Sequence, residues 1–402
     1  MNWLTRLFGE EQRQVSQWQL SELQSWSDMG IGPPPTSAGV TVTVDAAMQI
    51  PAVYSCVQVL SQDVARTPIK LRRKVAADTF EDATDHDLFE ILGSLANPET
   101  TSYSFKLQMM QDVLRFEHAF AEIIRTPDGR VEALWRLDPT LMRIDRTPSR
   151  VKRWTYNGSK TWTFDPSKPP IFELSHPSPI QQCREVIGTA SALQEYVGQF
   201  FRNGARPGGI LQAQGTISQD AATNLRERWY AWYAGGGPNR RGVAVLDSGV
   251  TFNPIQSDND ESQMNETLGA LNQMIAGVFR VPTWKIGDLS KTSYANMEAG
   301  ELAYITSTLD PYFELWESSL RRDVLSSRQY NQFTISFDRA ALVRNDTKSL
   351  HDSLAIGINS GIYSVNDARK KLGENPVEGG DVHRFNTALQ PVTGVKTDDP
   401  TA

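Results

Sequence analysis

Apolar residues recur at helical spacing in the second half of the chain, where they predict two helices joined by a polar connection. The members of the first stripe are three or four residues apart, which is typical of one face of an amphipathic helix. These members are Met264, Leu268, Leu271, Ile275 and Val278. The helix ends at Val281, because the residue before Pro282 disfavours helical torsion angles.

The second stripe is longer and follows a polar connection that runs from Gly287 to Ala295. Its apolar members are Met297, Leu302, Ile305, Leu309, Phe313, Leu315, Trp316 and Leu320. Pro311 lies inside this stripe, lacks a backbone donor and collides with the preceding turn, so it ends or kinks the helix near Leu309. The pattern predicts a helix, a presented loop and a long kinked helix.

The first half of the chain mixes helices and strands. Asp45 is a candidate N-cap for a helix over residues 46–65, in which Pro51 sets the first turn apart. Further helices are predicted over residues 86–95 and from Thr101 or Ser102 to Phe116. Strands are predicted over residues 69–74, 119–125, 131–137, 141–145, 152–157, 160–164 and 171–174. Residues 41 to about 180 therefore have the pattern of an α+β domain.

A small α/β unit is predicted between two long helices. A helix over residues 189–201 precedes it, and the Met264 helix follows it. The unit consists of strands over residues 209–212, 242–246 and 251–255 and a helix over residues 218–233 that Ser218 caps.

The two ends of the chain complete the predicted organisation. Residues 333–337 predict a strand that returns to the first domain, and residues 346–360 and 364–372 predict two helices. Residues 1–40 predict a flexible arm, and residues 387–402 predict a disordered tail.

The composition is that of a globular protein with an acidic balance. The 402 residues are 39% hydrophobic and carry a net charge of −7, and this length predicts more than one core. A simple nucleic-acid binder would be basic, so any contact with nucleic acid has to be local or non-adhesive. Cys56 and Cys183 give no disulfide framework, which fits a reducing compartment. No apolar run approaches the length of a transmembrane helix, so no membrane contact is predicted.

No catalytic or metal-binding set assembles in the sequence. The five histidines are scattered, and neither HExxH nor CxxC occurs. We interpret His118, which lies beside an apolar strand, as a structural histidine. Ser290-Lys291-Thr292 resembles the end of a phosphate-binding loop, but the glycine that should precede the lysine is absent. We therefore expect no enzymatic activity, no metal and no cofactor.

Several motifs in a fixed order carry a resemblance to a known family. They are FFRNGARP at 200–207, VP at 281–282, GDL at 287–289, SYAN at 293–296 with Glu298, and SGIYSVNDARKKLGENPVEGGD at 360–381. Over residues 41–386 the chain resembles the portal proteins of tailed bacteriophages, the HK97-type family.

The resemblance implies an α+β portal fold whose parts follow one another along the chain. The implied parts are the wing (41–188 and 297–345, which includes the long kinked helix), the two stem helices (189–205 and 258–281), the α/β clip (206–257), the tunnel loop (282–296) and a small crown-like helical part (346–386).

The resemblance also implies a function. Portal subunits form a homo-oligomeric ring, usually dodecameric, at one capsid vertex of the virion, and the ring is assembled in the host cytoplasm. Double-stranded DNA passes non-specifically through the central channel during packaging and ejection. The implied partners are the terminase large subunit, the major capsid protein and head-completion or adaptor proteins.

Two sets of candidate site residues follow from the resemblance. The tunnel-loop candidates for contact with DNA are Lys285, Asp288, Ser290, Lys291, Thr292, Ser293 and Tyr294. The clip candidates for partner docking are Arg226, Arg228, Trp229, Trp232, Tyr233, Arg240 and Arg241. Packing within the clip is an alternative role for Trp229 and Tyr233, and Lys285 is also compatible with a place in the turn that supports the loop.

Two other classes of protein remain open on the sequence. Another ring-forming connector of the virion would share the ring, but the 402-residue length and the helix-loop-helix order favour a portal. A nucleic-acid-processing enzyme would show ATPase or nuclease activity, and the sequence offers no residues for either.

Overall fold

The computed structural model of the chain describes residues 34–76, 79–202, 209–213, 218–233, 250–254, 260–288, 294–326, 329–343 and 347–383. They fall within two compact units, Met1–Ser336 and Phe337–Ala402. The end of the predicted flexible arm is ordered: the Thr36 N–H donates to the Val40 carbonyl at 2.9 Å. The Ser37 hydroxyl and N–H donate to the Glu185 carboxylate at 2.6 and 3.0 Å, and these bonds hold the turn against the start of a helix.

The first unit begins with helices and short strands. In chain order these elements are α1 (Val44–Met48), α2 (Pro51–Arg66), β1 (Ile69–Ala76), β2 (Thr79–Asp82), α3 (Asp87–Gly93), β3 (Leu95–Asn97), β4 (Thr100–Thr101) and α4 (Ser102–Phe116). Pro51 separates α1 from α2, as predicted. The predicted cap Asp45 is wrong, because Asp45 lies inside α1 while Thr43 has the extended backbone that capping requires.

The following segment forms two separate antiparallel sheets of three strands. The strands are β5 (His118–Arg125), β6 (Val131–Leu137), β7 (Met142–Arg146), β8 (Lys152–Tyr156), β9 (Lys160–Thr163) and β10 (Ile171–Ser175). Their orders are β10-β5-β6 and β7-β8-β9. Asn157 and Gly158 join β8 to β9 with φ angles of 47° and 66°, the left-handed torsions that a tight hairpin turn favours.

Two long helices bracket a smaller unit, as predicted. The elements are α5 (Pro179–Gln182), α6 (Arg184–Arg202), β11 (Gly209–Ala213), α7 (Gln219–Tyr233), β12 (Val250–Pro254) and α8 (Asp260–Phe279). The first long helix begins at Arg184 rather than at Thr189, and it contacts α8. β11 and β12 pair antiparallel with Gly209 opposite Pro254. The strand predicted over residues 242–246 lies outside the described residues.

The second long helical segment contains a π-helical turn just before Pro311, where the sequence predicts the end or kink of the helix. It consists of α9 (Tyr294–Tyr304), a π-helical turn (Ile305–Leu309) and α10 (Asp310–Asp323). The Asp310 N–H donates to the Ile305 carbonyl, five residues back rather than four. Pro311 has no N–H to give, so the turn before it cannot close with ordinary helical bonds, and the wider turn accommodates it.

Helix α10 lies at the centre of the core. Trp316 is fully buried, and its ring centroid lies 5.6 Å from that of Phe172 on β10 and 6.3 Å from that of Phe105 on α4. Its indole N–H lies 3.3 Å from the sulfur of Met110. After this helix, β13 (Phe333–Phe337) pairs with β1, so the predicted strand returns to the first sheet.

A buried carboxylate on β10 joins the β10-β5-β6 sheet to the β7-β8-β9 sheet. Lys152 Nζ donates to the two Glu173 carboxylate oxygens at 2.6 and 2.5 Å, and the Trp154 indole N–H donates at 3.1 Å. His118 Nδ1 lies 3.3 Å from Glu173 Oε1, so the histidine that we interpret as structural contacts this buried carboxylate. Burial opposes ionisation of Glu173, but His118 and Lys152 outweigh it and lower the pKa to about 2.

A second buried carboxylate connects α10 to the same strand. Asp323 Oδ2 accepts the backbone N–H of Glu173 at 3.1 Å, and Arg322 forms a two-pronged pair with Asp323 at 2.7 and 2.6 Å. Arg125 on β5 donates to the Asp323 carbonyl at 2.9 Å. The end of α10 is therefore tied by hydrogen bonds to both β5 and β10.

The second compact unit contains short helices. They are α11 (Ala340–Val343), α12 (Thr347–Asn359) and α13 (Val365–Leu372). The last two were predicted; α11 was not. Ser364 and Asp367 form a capping box at the start of α13, and Gly373 ends this helix with a φ of 77°.

Replacing Glu173 with Gln tests the buried network through its pH dependence. Since its pKa is lower in the folded chain than in the unfolded chain, the carboxylate stabilises the fold fully above about pH 4.5 and loses this effect as the pH falls towards 2. A fall of the pKa from 4.5 to about 2 corresponds to roughly 3 kcal/mol. We expect Glu173→Gln to lower the free energy of unfolding by about this amount at pH 7, and by progressively less below pH 4.5.

Urea unfolding followed by tryptophan fluorescence at several pH values measures this difference. Glu122→Gln is the matched control, because Glu122 on β5 pairs with Lys160, whose side chain is 55% exposed. We expect the control to change the free energy of unfolding by less than about 1 kcal/mol. An equal difference between wild type and Glu173→Gln at pH 7 and at pH 3 would contradict the role of the charge.

Candidate functional site

The candidate loop leaves helix α8 through a compact turn. Arg280 ends the helix with a φ of 54°, and the Val281 N–H donates to the Ala276 carbonyl at 2.9 Å. A 3₁₀ turn follows over Thr283–Ile286, and Gly287 closes it with a φ of 98°. Such a φ is accessible to glycine without strain.

The turn places two of the predicted tunnel-loop residues. Lys285 lies in the 3₁₀ turn, where its ammonium contacts carboxylates of this chain. Asp288 is half-buried, and its N–H donates to the Thr283 carbonyl at 3.0 Å. Ser290, Lys291, Thr292 and Ser293 lie outside the described residues. Tyr294 begins α9, and its side chain lies outside the described part.

Lys285 forms the centre of a half-buried polar cluster. Its Nζ lies 2.9 Å from Glu301 Oε1 and 3.6 Å from Asp63 Oδ2, and it stands 4.6 Å from the centroid of the Tyr304 ring. The Lys285 side chain is 16% exposed, and the Asp63 side chain 9%. Lys285 therefore lies in the turn that supports the loop, and its charge is paired with carboxylates of the same chain.

Tyr304 completes the cluster from the helix that follows the loop. Its hydroxyl donates to Asp63 Oδ2 at 2.9 Å. Burial, and then the charge and hydrogen bond of Asp63, raise the pKa of Tyr304 well above its usual range, so the phenol keeps the proton it donates. Arg66 pairs with the other Asp63 oxygen at 3.0 Å.

Sequence reasoning missed Asp63, which α2 supplies from far along the chain. One signal was present: Asp63 lies next to Val64, on the apolar stripe that includes Leu60. A charged residue on a buried helix face needs a buried partner. Besides the nearby Arg66, the partners are Tyr304 and Lys285, which the sequence could not identify.

Side-chain packing and a hydrogen bond also connect the two ends of the loop, in addition to the ion pairs. The indole of Trp284, in the 3₁₀ turn, covers Gly300 on α9, and a Cβ at Gly300 would overlap Trp284 Cη2. In the π-helical turn, the Thr308 hydroxyl donates to the Arg280 carbonyl at 2.9 Å. Residues 280–285 and residues 300–308 thus contact each other through packing and hydrogen bonds as well as through the charge of Lys285.

The candidate docking unit is described mainly through its backbone. Ser218 caps α7, as predicted, with the Ala221 N–H 3.3 Å from its hydroxyl. Arg226 is exposed on this helix. Arg228, Trp229, Trp232 and Tyr233 belong to α7, but their side chains lie outside the described part; Arg240 and Arg241 lie outside the described residues altogether.

The described residues carry no arrangement typical of metal or thiol chemistry. Among them, no group of three or more His, Cys, Asp or Glu side chains is placed to hold a metal ion. Burial raises the pKa of the Cys56 thiol to about 12, which keeps it unreactive. None of the helices within the described ranges combines the length and hydropathy that a membrane crossing requires.

Comparison with known proteins places this arrangement in a family. The profile of the phage portal protein family matches residues 51–373. The probable portal protein of Streptomyces phage phiC31 is 26% identical over 376 residues, which is 88% of this chain and 80% of that protein.

Solved structures share the fold. An HK97-family phage portal protein from Corynebacterium diphtheriae superposes with a TM-score of 0.54 at 19% identity, covering 74% of this chain and 96% of that one. A chain in the neck of a native gene transfer agent particle, computed with C12 symmetry, superposes with a TM-score of 0.55 at 18% identity and covers 89% of this chain and all of that one. The family match spans the core, both bracketing helices and the candidate loop, and the chain belongs to the phage portal protein family.

Proposed function

We propose that twelve copies of this chain form a ring around a channel through which double-stranded DNA enters and leaves a viral capsid. The observation that carries the proposal is the order of α6, the β11–α7–β12 unit, α8, a polar loop and a kinked helix within a chain of the portal family. The C12 symmetry of the gene transfer agent neck supports twelve subunits.

The parts of the chain take distinct roles in this ring. Residues 41–188 and 297–345 are the wing, residues 189–205 and 258–281, which include most of α6 and all of α8, supply the stem, and residues 206–257 are the clip. The tunnel loop, over residues 282–296, lines the narrowest part of the channel. Residues 346–386 form a small crown. The two bracketing helices and the paired strands β11 and β12 support the assignment of stem and clip.

The ring works as a conduit and a docking platform. The terminase large subunit docks on the clip during packaging, head-completion or adaptor proteins follow, and the major capsid protein surrounds the wing. The ring is located at a capsid vertex after assembly in the host cytoplasm. It has no enzymatic activity of its own, because the motor that hydrolyses ATP is a separate protein.

The DNA contact is electrostatic and independent of sequence. A packaging channel must let every base pair pass, so the loop contacts phosphates rather than base edges. The net charge of −7 supports this proposal, because a strongly cationic wall would retain DNA through counterion release.

The mass and symmetry of the purified protein test the proposed ring. We expect native mass spectrometry to give about 540 kDa, which corresponds to twelve chains of 44.9 kDa, and negative-stain images to show a closed ring with a central hole. A monomer that hydrolyses ATP would overturn the proposal in favour of an enzyme.

The double variant Lys291→Ala, Tyr294→Ala tests the contact between loop and DNA. We expect photocrosslinking of DNA threaded through the ring to fall roughly fivefold while ring formation is unchanged, because a phosphate-contacting cation is lost. The exposed Lys168, replaced by Ala, is the matched control and leaves crosslinking unchanged. Undiminished crosslinking in the loop variant would refute the contact.

Removal of the clip tests partner docking. Gly209 lies opposite Pro254, so the first and last described strands of the unit are paired, and a short glycine-serine linker is designed to replace residues 206–257. We expect the wing to keep its thermal transition and the variant to lose co-purification with the terminase large subunit. Deletion of residues 387–402 is the control for shortening the chain. Terminase binding that survives removal of the clip would exclude this role.

A further inference from the structure

The polar cluster around Lys285 joins parts of the chain that the candidate loop separates. Lys285 precedes residues 289–293, and Glu301 and Tyr304 follow them on α9. Asp63 comes from α2 and contacts both sides, at 3.6 Å from Lys285 Nζ and 2.9 Å from the Tyr304 hydroxyl. One carboxylate therefore contacts Lys285, on the N-terminal side of residues 289–293, and Tyr304, on the helix that follows them.

We propose that Lys285 is a positioning residue that, with Asp63 and Tyr304, clamps both ends of the loop onto α2. The clamp fixes where residues 289–293 are presented towards DNA. It rests on the proposed function of this segment as the tunnel loop, and it assigns to Lys285 a role distinct from contact with DNA.

Burial gives the clamp a single arrangement. With side-chain exposures of 16% and 9%, Lys285 and Asp63 are poorly solvated, so each charge depends on its partners: Glu301 and Asp63 for Lys285, and Arg66 and Lys285 for Asp63. An exposed pair would exchange readily between partners and water. The Tyr304 hydroxyl adds a directional bond to the same carboxylate, because burial and the Asp63 charge keep the phenol protonated.

The packing of Trp284 on Gly300 fixes how the 3₁₀ turn lies against α9. The indole covers the glycine one residue before Glu301, so the 3₁₀ turn and α9 meet in one register when Lys285 reaches Glu301. The clamp therefore acts on the loop ends rather than on the distant core around Trp316. Loss of the Lys285 charge should loosen the loop before it unfolds the chain.

Hydrogen–deuterium exchange on the assembled full-length ring tests the clamp without DNA. We expect Lys285→Met to speed amide exchange roughly tenfold at Gly287, Asp288 and residues 298–304, since these bonded amides flank the loop and the local opening that exposes them becomes easier. Lys285→Arg keeps the charge and retains wild-type exchange. Tyr304→Phe, which removes one hydroxyl and keeps the ring, gives an intermediate rate and serves if Lys285→Met fails to assemble.

Lys160→Met is the matched control, because it breaks the Lys160–Glu122 pair of the first unit at a site away from the loop. Exchange at Gly287, Asp288 and residues 298–304 that is unchanged in Lys285→Met within an intact ring would overturn the clamp. Unchanged exchange in Tyr304→Phe would overturn it as well if Lys285→Met yields no ring.

In vitro packaging of DNA into proheads connects the clamp to function. We expect Lys285→Met to reduce packaged DNA several-fold and Lys285→Arg to restore it. The Lys291→Ala, Tyr294→Ala variant separates two outcomes. If this variant impairs packaging but Lys285→Met exchanges faster and packages normally, the positioning role of Lys285 is overturned. If both variants package normally, the tunnel-loop function is refuted, while the clamp is still supported by the exchange data.

Discussion

Two buried carboxylates, Glu173 and Asp323, hold the first unit together at the point where its sheets and its central helix meet. Glu173 accepts from Lys152 and Trp154 of the β7–β9 sheet, and its own N–H is accepted by Asp323 at the end of α10. Apolar packing around Trp316 supplies most of the driving force, but it is non-directional. The carboxylates add direction, because each buried oxygen is satisfied in one arrangement only.

The long elements of this fold could be predicted because their apolar residues are periodic. Most described members of the stripes that mark α8 and the α9–α10 segment are buried, although Leu302 is 56% exposed. Pro311 locates the π-helical turn through its missing N–H. β2 was missed because all four of its residues are exposed and show no alternation. The cap at Thr43 was missed because capping depends on one backbone torsion that the sequence leaves open.

The position of the candidate loop in the chain could be predicted from the sequence, but the side-chain contacts that support it could not. Val281-Pro282 and Gly287 mark the turn that begins the loop, because proline and glycine restrict or free the backbone locally. The pairing of Lys285 with Asp63 depends on the tertiary packing of α2 against the 3₁₀ turn, and no local pattern encodes it. The sequence therefore indicated a cation available in the loop, whereas in the structure Lys285 is paired with Asp63 and Glu301 of the same chain.

This neutralisation fits the proposed conduit. Lys285 and Arg66 bring two positive charges to the base of the loop, and Asp63 and Glu301 bring two negative charges. These four side chains thus add no net charge to the proposed channel wall. A cation that binds phosphates and releases their counterions would slow the movement of DNA. The lysine proposed to position the loop is therefore better kept from binding DNA as well. Separating support from contact lets the loop be rigid at its base without making the channel adhesive.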